Sequence, residues 1–92
     1  MISKKYKKDA KEQLEKYNFY VSKVVAYYNS QNRLLLELYF SADDTPKNFE
    51  RICDIISDEV KLKLDYSEPV YSGKEVRIRV FETTQYKLDV YH

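Results

Sequence analysis

At 92 residues the chain has the length of one small domain. Its 43% hydrophobic and 34% charged residues exclude a disordered tail and point to a globular chain. Sixteen basic against fifteen acidic residues leave a formal charge of +1, which removes the bulk-charge argument for nucleic acid and leaves room only for a local patch.

The single cysteine, Cys53, has no partner for an internal disulfide, and no Cys/His spacing resembles a zinc site. A lone thiol fits a reducing compartment, so a cytoplasmic location is expected. No apolar run approaches the roughly 18 residues that span a bilayer. The lysine-rich start lacks the apolar stretch of a secretory signal. Ten tyrosines against one glycine is an unusual balance. Tyrosine supplies ring area with a polar tip, and it favours strands and binding surfaces.

In chain order, residues 3–17 read as a solvated helix. Lys8–Glu12, Lys11–Glu15 and Glu12–Lys16 lie four apart, where opposite charges meet on a helix surface. Tyr6, Ala10, Leu14 and Tyr17 form a narrow apolar stripe. Residues 18–32 carry two signals. Val21, Val24 and Tyr28 continue the helical period, whereas Phe19–Tyr28 is nearly uncharged and rich in β-branched and aromatic residues, which favours a strand. The composition selects a strand over Phe19–Tyr28, with Asn29–Ser30–Gln31–Asn32 as a hairpin loop. Arg33–Phe40 is a firmer strand, with Leu34, Leu36, Leu38 and Phe40 on one face and Leu35, Glu37 and Tyr39 on the other.

A second helix is expected over residues 45–59, capped by Thr45 with Pro46 at its first position and Asp43 and Asp44 at its positive end. Phe49, Ile52, Cys53, Ile56 and Val60 give it an apolar stripe, and its acidic residues give it a solvated back. Val60–Tyr66 reads either as a short strand or as the ragged end of that helix. Ser67–Lys74, with Pro69 and Gly73, reads as a loop. The chain then alternates over Glu75–Phe81 and again over Tyr86–Tyr91, so a terminal antiparallel hairpin is expected. Together these elements predict a single α+β domain over residues 1–92. It has a four- to five-stranded, largely antiparallel sheet and two helices, one packed across a sheet face.

Catalytic patterns are scarce. His92, the only histidine, is the last residue, and one glycine cannot build a phosphate loop. No catalytic residue, metal ligand or cofactor is therefore assigned from the residues. Asp43–Asp44 is better explained as a helix start, and Cys53 as a small buried hydrophobe on its stripe. The outward sides of the strands are more informative. Lys23, Tyr27, Glu37, Tyr39, Arg77, Arg79, Phe81, Lys87 and Tyr91 fall opposite the helix-covered side. Tyr27, Tyr39, Arg77, Arg79, Phe81, Lys87 and Tyr91 are the candidate partner-binding set, because Tyr and Arg are the types enriched where proteins bind one another. Those types also stack on bases and pair with phosphates, which keeps nucleic acid as an alternative.

From Thr45 onward the chain resembles the C-terminal half of the pyruvoyl-tetrahydropterin and carboxytetrahydropterin synthase family, which has the tunnelling fold. The resemblance rests on Thr45-Pro46, Asn48-Phe49 and Arg51 on the helix, and on Val76–Val80 leading to Glu82-Thr83. It implies that Glu82 grips the edge of a pterin- or purine-like ring, since a carboxylate accepts two parallel N–H bonds. It also implies an oligomeric barrel of sheet-forming subunits. The histidines that hold the family's zinc, its catalytic cysteine and its second helix have no counterparts here.

The expectation for function is a small non-enzymatic interaction or regulatory protein, of the kind an inhibitor or a mobile-element accessory protein represents. It is expected to bind a protein partner, or itself, through the Tyr/Arg sheet face. The alternatives are ring binding through Glu82 and nucleic-acid binding through the N-terminal lysines.

Overall fold

Two alternating strands set the architecture. The computed structural model describes residues 2–83. In chain order it holds α1 (Ile2–Lys16), β1 (Lys23–Tyr28), β2 (Leu34–Ser41), a 3-10 turn (Ala42–Asp44), α2 (Phe49–Val60), β3 (Leu64–Tyr66), β4 (Val70–Ser72) and β5 (Glu75–Glu82). The chain is α+β, with an antiparallel five-stranded sheet in the order β1-β2-β5-β3 and β4 also paired to β5. Val76 pairs with Phe40 on one side and Tyr71 on the other. β3 and β4 therefore share the edge of β5 that faces away from β2, as two halves of one strand interrupted near Pro69.

α1 ends for a local reason. Asn18 sits in the left-handed region at φ 68°, the Phe19 N–H donates to Leu14 O at 2.9 Å, and the Asn18 N–H donates to Glu15 O at 3.0 Å. That is the Schellman arrangement, with asparagine where glycine is commonest. It stops the helical period that the sequence carries on toward Tyr28. The strand begins at Lys23, four residues later than the composition suggests, because Phe19–Ser22 carries the chain from the helix end to the sheet edge. The β1–β2 loop falls on residues 29–33, where the Asn29 side chain accepts the N–H groups of Gln31 and Arg33 and Asn32 adopts φ 61°.

The start of the second helix also differs from expectation. Thr45 is extended, at φ −78° and ψ 125°, as a residue before proline tends to be. Its hydroxyl donates to Ser41 O and Ala42 O, closing the 3-10 turn that contains Asp43 and Asp44. Asn48 is the true cap: its side chain accepts the Arg51 N–H at 3.0 Å, so the helix begins at Phe49. It ends at Lys61, which takes a left-handed φ of 61°. The Ser57 hydroxyl then donates to Leu62 O. β3 resolves the ambiguity at Val60–Tyr66 into a helix end followed by a short strand. β4 occupies part of the expected loop, and Gly73 at φ 63° opens the two-residue turn into β5.

Both helices lie on one side of the sheet. Ala10 and Leu14 of α1 and Ile52, Cys53, Ile55 and Ile56 of α2 pack against Val24, Ala26, Leu34, Leu36, Leu38, Phe40, Ile78 and Val80. The helices also pack against each other, with α1 over β1 and α2 beside β3. Arg51 stacks over the Tyr17 ring at 5.1 Å and adds a polar clasp to that contact. Among the described residues the only ion pair is Arg79–Glu37, so the lysine–glutamate pairs expected along α1 are not closed. Such exposed pairs gain little and cost side-chain freedom.

The second half of the expected terminal hairpin, Tyr86–Tyr91, lies outside the described residues, as do Lys87 and Tyr91 of the candidate set. β5 itself has both edges occupied, by β2 and by β3 and β4. Among the described residues no helix is long and apolar enough to cross a membrane.

Ile56 is fully buried between helix and sheet. Its truncation to alanine is expected to lower unfolding free energy by about 2–5 kcal/mol. Loss of the Asn48 cap in Asn48→Ala is expected to cost about 0.5–2 kcal/mol. Urea denaturation measures both, and an Ile56→Ala midpoint equal to wild type contradicts the packing described.

Candidate functional site

The face of the sheet away from the helices is uncovered by any described element. Pleating puts residues i and i+2 of each strand on the same side. The register then stacks the outer side chains in rows. Lys23, Tyr39, Arg77 and Val70 form one row. Val25, Glu37 and Arg79 form the next, and Tyr27, Leu35, Phe81 and Asp65 the third. Tyr27, Tyr39, Arg77, Arg79 and Phe81, five of the seven residues singled out in the sequence, are thus neighbours on one face.

Glu37 holds the centre of that face. It accepts a hydrogen bond from Arg79 Nε at 3.0 Å, one from the Tyr39 hydroxyl at 3.1 Å and one from the Tyr27 hydroxyl at 3.4 Å. Its side chain is 12% exposed, against 45% for Arg79. Burial pushes its carboxyl pKa up, but the Tyr39 and Arg79 hydrogen bonds and the charges of Arg79 and Arg77 more than offset this, so the carboxyl lies below its ordinary value. Lys23 Nζ sits 5.1 Å from the centre of the Tyr39 ring on the other flank. Two aromatic rings and a guanidinium are therefore tethered to one carboxylate, which reduces the side-chain freedom they lose on contact with another molecule. The sequence marked Glu37 as one of the outward residues, but not as the group that organises them.

Beside Tyr39 the face dips into a cleft of about 200 Å³ lined by Tyr39, Val70, Ser72, Glu75 and Arg77. Arg77 Nε is buried and has no hydrogen-bond partner among the described residues. β4 forms one wall of this cleft, and because residues 67–74 read as a loop, nothing in the residue pattern announced it.

Glu82 lies on the helix side of the sheet, in register with Leu64 at the end of β5. Its Oε1 accepts the Leu34 N–H at 3.0 Å. The Tyr28 phenol nearby has a raised pKa, through burial first, then a hydrogen bond with Tyr6, and the charges of Tyr6 and Glu82. This places Glu82 in a cluster of phenols between α1 and the strand ends, away from the outer face. Thr83 continues from it, with its N–H donating to Lys63 O at 2.9 Å.

Cys53 is buried in the core, and burial together with the negative charges of Asp54, Asp65 and Glu50 pushes its thiol up to about 11. Among the described residues no group of three or more His, Cys, Asp or Glu is placed to hold a metal ion. Lys7, Lys8 and Lys11 of α1 border an open groove of about 450 Å³ beside Val24 of β1.

No family model matches the chain, and neither a curated protein nor a solved structure is significantly similar to it.

Because the folded Glu37 carboxyl lies below its unfolded value, its contribution to stability is full above the ordinary carboxylate range and is lost as pH falls through the folded value. The stability gap between wild type and Glu37→Gln is expected to be largest near neutrality and to narrow with acidification. Denaturation curves across that pH range test this, and a gap that does not change with pH contradicts it. At pH 8 Cys53 is expected to resist iodoacetamide in the native protein and to react at an ordinary thiol rate in urea. Fast native labelling would place it outside the core.

Proposed function

We propose that this protein acts without turnover of a substrate, as an interaction or regulatory module that binds a protein partner on the outer face of its sheet. The observation that carries this reading is the register, which gathers Tyr27, Tyr39, Arg77, Arg79 and Phe81 around Glu37 on a side that neither helix covers. Leu35, Val25 and Phe81 supply half-buried apolar surface between the polar anchors. An apolar centre with Tyr and Arg anchors is the composition of a protein contact.

Charge on the face favours a protein over a nucleic acid. Lys23, Arg77 and Arg79 share it with Glu37, while Asp65 and Glu75 lie at its margin. A phosphate backbone laid across it meets those carboxylates. Size bounds the affinity. Strands about 4.8 Å apart and about 20 Å long give a footprint of roughly 400 Å², half of the roughly 800 Å² each partner contributes to a standard interface. The partner either reaches past the rim or binds transiently.

A second reading has its own observation. The groove beside Lys7, Lys8 and Lys11 gathers three ammonium groups, and among the described residues the expected Lys8–Glu12 and Lys11–Glu15 pairs are not formed. A polyanion such as nucleic acid suits that groove, and its affinity is expected to fall steeply with salt.

The main reading is tested by affinity capture from the native host with wild-type protein, with Tyr39→Ala/Arg77→Ala, and with Tyr20→Ala, a residue 60% exposed and outside the strands. The double variant is expected to keep its circular dichroism and lose the captured protein, while Tyr20→Ala keeps it. Equal capture by a folded double variant removes the outer face as the contact surface.

A further inference from the structure

β5 has no room for the strand that the sequence after it calls for. Tyr86–Tyr91 alternates, with Tyr86, Leu88 and Val90 on one face. Its nearest mate in the chain is β5. Yet β2 pairs with one edge of β5, and β3 and β4 pair with the other. The connecting residues also disfavour a tight reversal. Glu82-Thr83-Thr84-Gln85 has no glycine, proline, asparagine or aspartate, and its β-branched threonines favour extended backbone.

The opposite margin of the sheet suits this segment. Among the described residues β1 pairs with β2 alone. The Asn29 N–H donates to Arg33 O, which sets the alternation along the pair. Tyr27, Val25 and Lys23 bond to β2, whereas Tyr28, Ala26 and Val24 turn their N–H and C=O groups outward. After Lys23 this margin has no charged residue and no proline, so it lacks the usual guards against strand addition. β3 and β4 offer only three residues each, on either side of Pro69.

Reach decides whose β1 is paired. The outer edge of β1 lies three strand spacings from β5, about 14 Å. Thr83 is still beside β3, its N–H donating to Lys63 O. From Thr83 to Tyr86 the chain reaches about 10 Å at full extension. Tyr86 therefore falls short of its own Tyr28, whereas a straight continuation of β5 enters a second copy placed end to end. Both β1 and β5 run antiparallel to β2, so they point the same way within one copy. End to end, β5 of one copy then arrives antiparallel to β1 of the other.

We propose that Tyr86–Tyr91 adds as a strand to the outer edge of β1 in a second copy, which returns its own segment to the first. The register that uses the whole of β1 sets Tyr86 opposite Tyr28, Leu88 opposite Ala26 and Val90 opposite Val24. Leu88 and Val90 then share the helix side with Val24 and Ala26, whose side chains are buried there. On that side Val24 and the methylene stems of Lys7, Lys8 and Lys11 border an open groove, which gives the two side chains apolar cover. Lys87, Asp89 and Tyr91 widen the outer face. Each copy gives one strand and receives one, so the assembly closes as a two-fold dimer.

The test uses the full chain. Gel filtration with light scattering is expected to give twice the 11.1 kDa chain mass for wild type. Leu88→Asp/Val90→Asp is expected to give the single-chain mass with unchanged circular dichroism. A wild type that stays monomeric at every concentration, or a dimer that survives the double substitution, overturns the exchange. A second variant decides the geometry whatever the first one does. Val25→Cys/Asp89→Cys places two thiols opposite each other across the new pair, and the buried Cys53 does not compete. Air oxidation is expected to yield a covalently linked dimer on a non-reducing gel. A disulfide closed within one chain, or no disulfide, contradicts the proposal. Loss of the dimer with capture of a partner retained removes the exchange and leaves the outer face as the contact surface.

Discussion

Everything described in this molecule follows from packing both helices on one side of a sheet, which leaves the other side bare of any described element. β2 is the central case: Leu34, Leu36, Leu38 and Phe40 are completely buried, while Leu35, Glu37 and Tyr39 between them look the other way. A chain of 92 residues has two helices among its described elements, and both are placed on the side where the leucines are. Burying each of those side chains gives on the order of 1.5–3 kcal/mol, a large fraction of what holds so small a domain together. A register slip by one residue would turn the leucines to water and Glu37 into the core, so the pairing is strongly specified. The composition of the bare face is thereby set by the same alternation that builds the core.

That bare face is ordered by electrostatics instead of by packing. Glu37 gathers two phenols and a guanidinium, and its lowered pKa is the signature of those contacts outweighing its partial burial. Arg77, one row away, has its Nε buried without a hydrogen-bond partner among the described residues.

Much of the fold was legible because long alternating or helical runs carry their own burial pattern. β2, β5 and the stripe of α2 fall where the residues indicate, and Cys53 lies in the core as its place on the stripe implies. The misreadings have local causes. β1 begins at Lys23 rather than Phe19, because the left-handed turn at Asn18 leaves Phe19–Ser22 to carry the chain to the sheet edge. Pro46 pushes Thr45 out of the helix and hands the cap to Asn48. β3 lies in the stretch that reads either as a short strand or as a helix end, while β4 is three residues long, too short for periodicity to register, and both pair with the second edge of β5. Of the site, the sequence indicates which residue types face outward. It does not reveal which of them meet, because that depends on register between strands up to fifty residues apart. Glu37 as the hub and the cleft beside Arg77 both come from that register.

Hydroxyl-radical footprinting of the side chains, read by mass spectrometry with the protein free and in complex, addresses the bare face directly. Leu35, Tyr39 and Phe81 are expected to label in the free protein and to become protected in the complex, while Tyr17, Tyr20 and Tyr71 label equally in both. Protection of Tyr17 and Tyr20 with Leu35, Tyr39 and Phe81 unchanged would mean that the partner sits on the helical side and that the outer face is solvated surface.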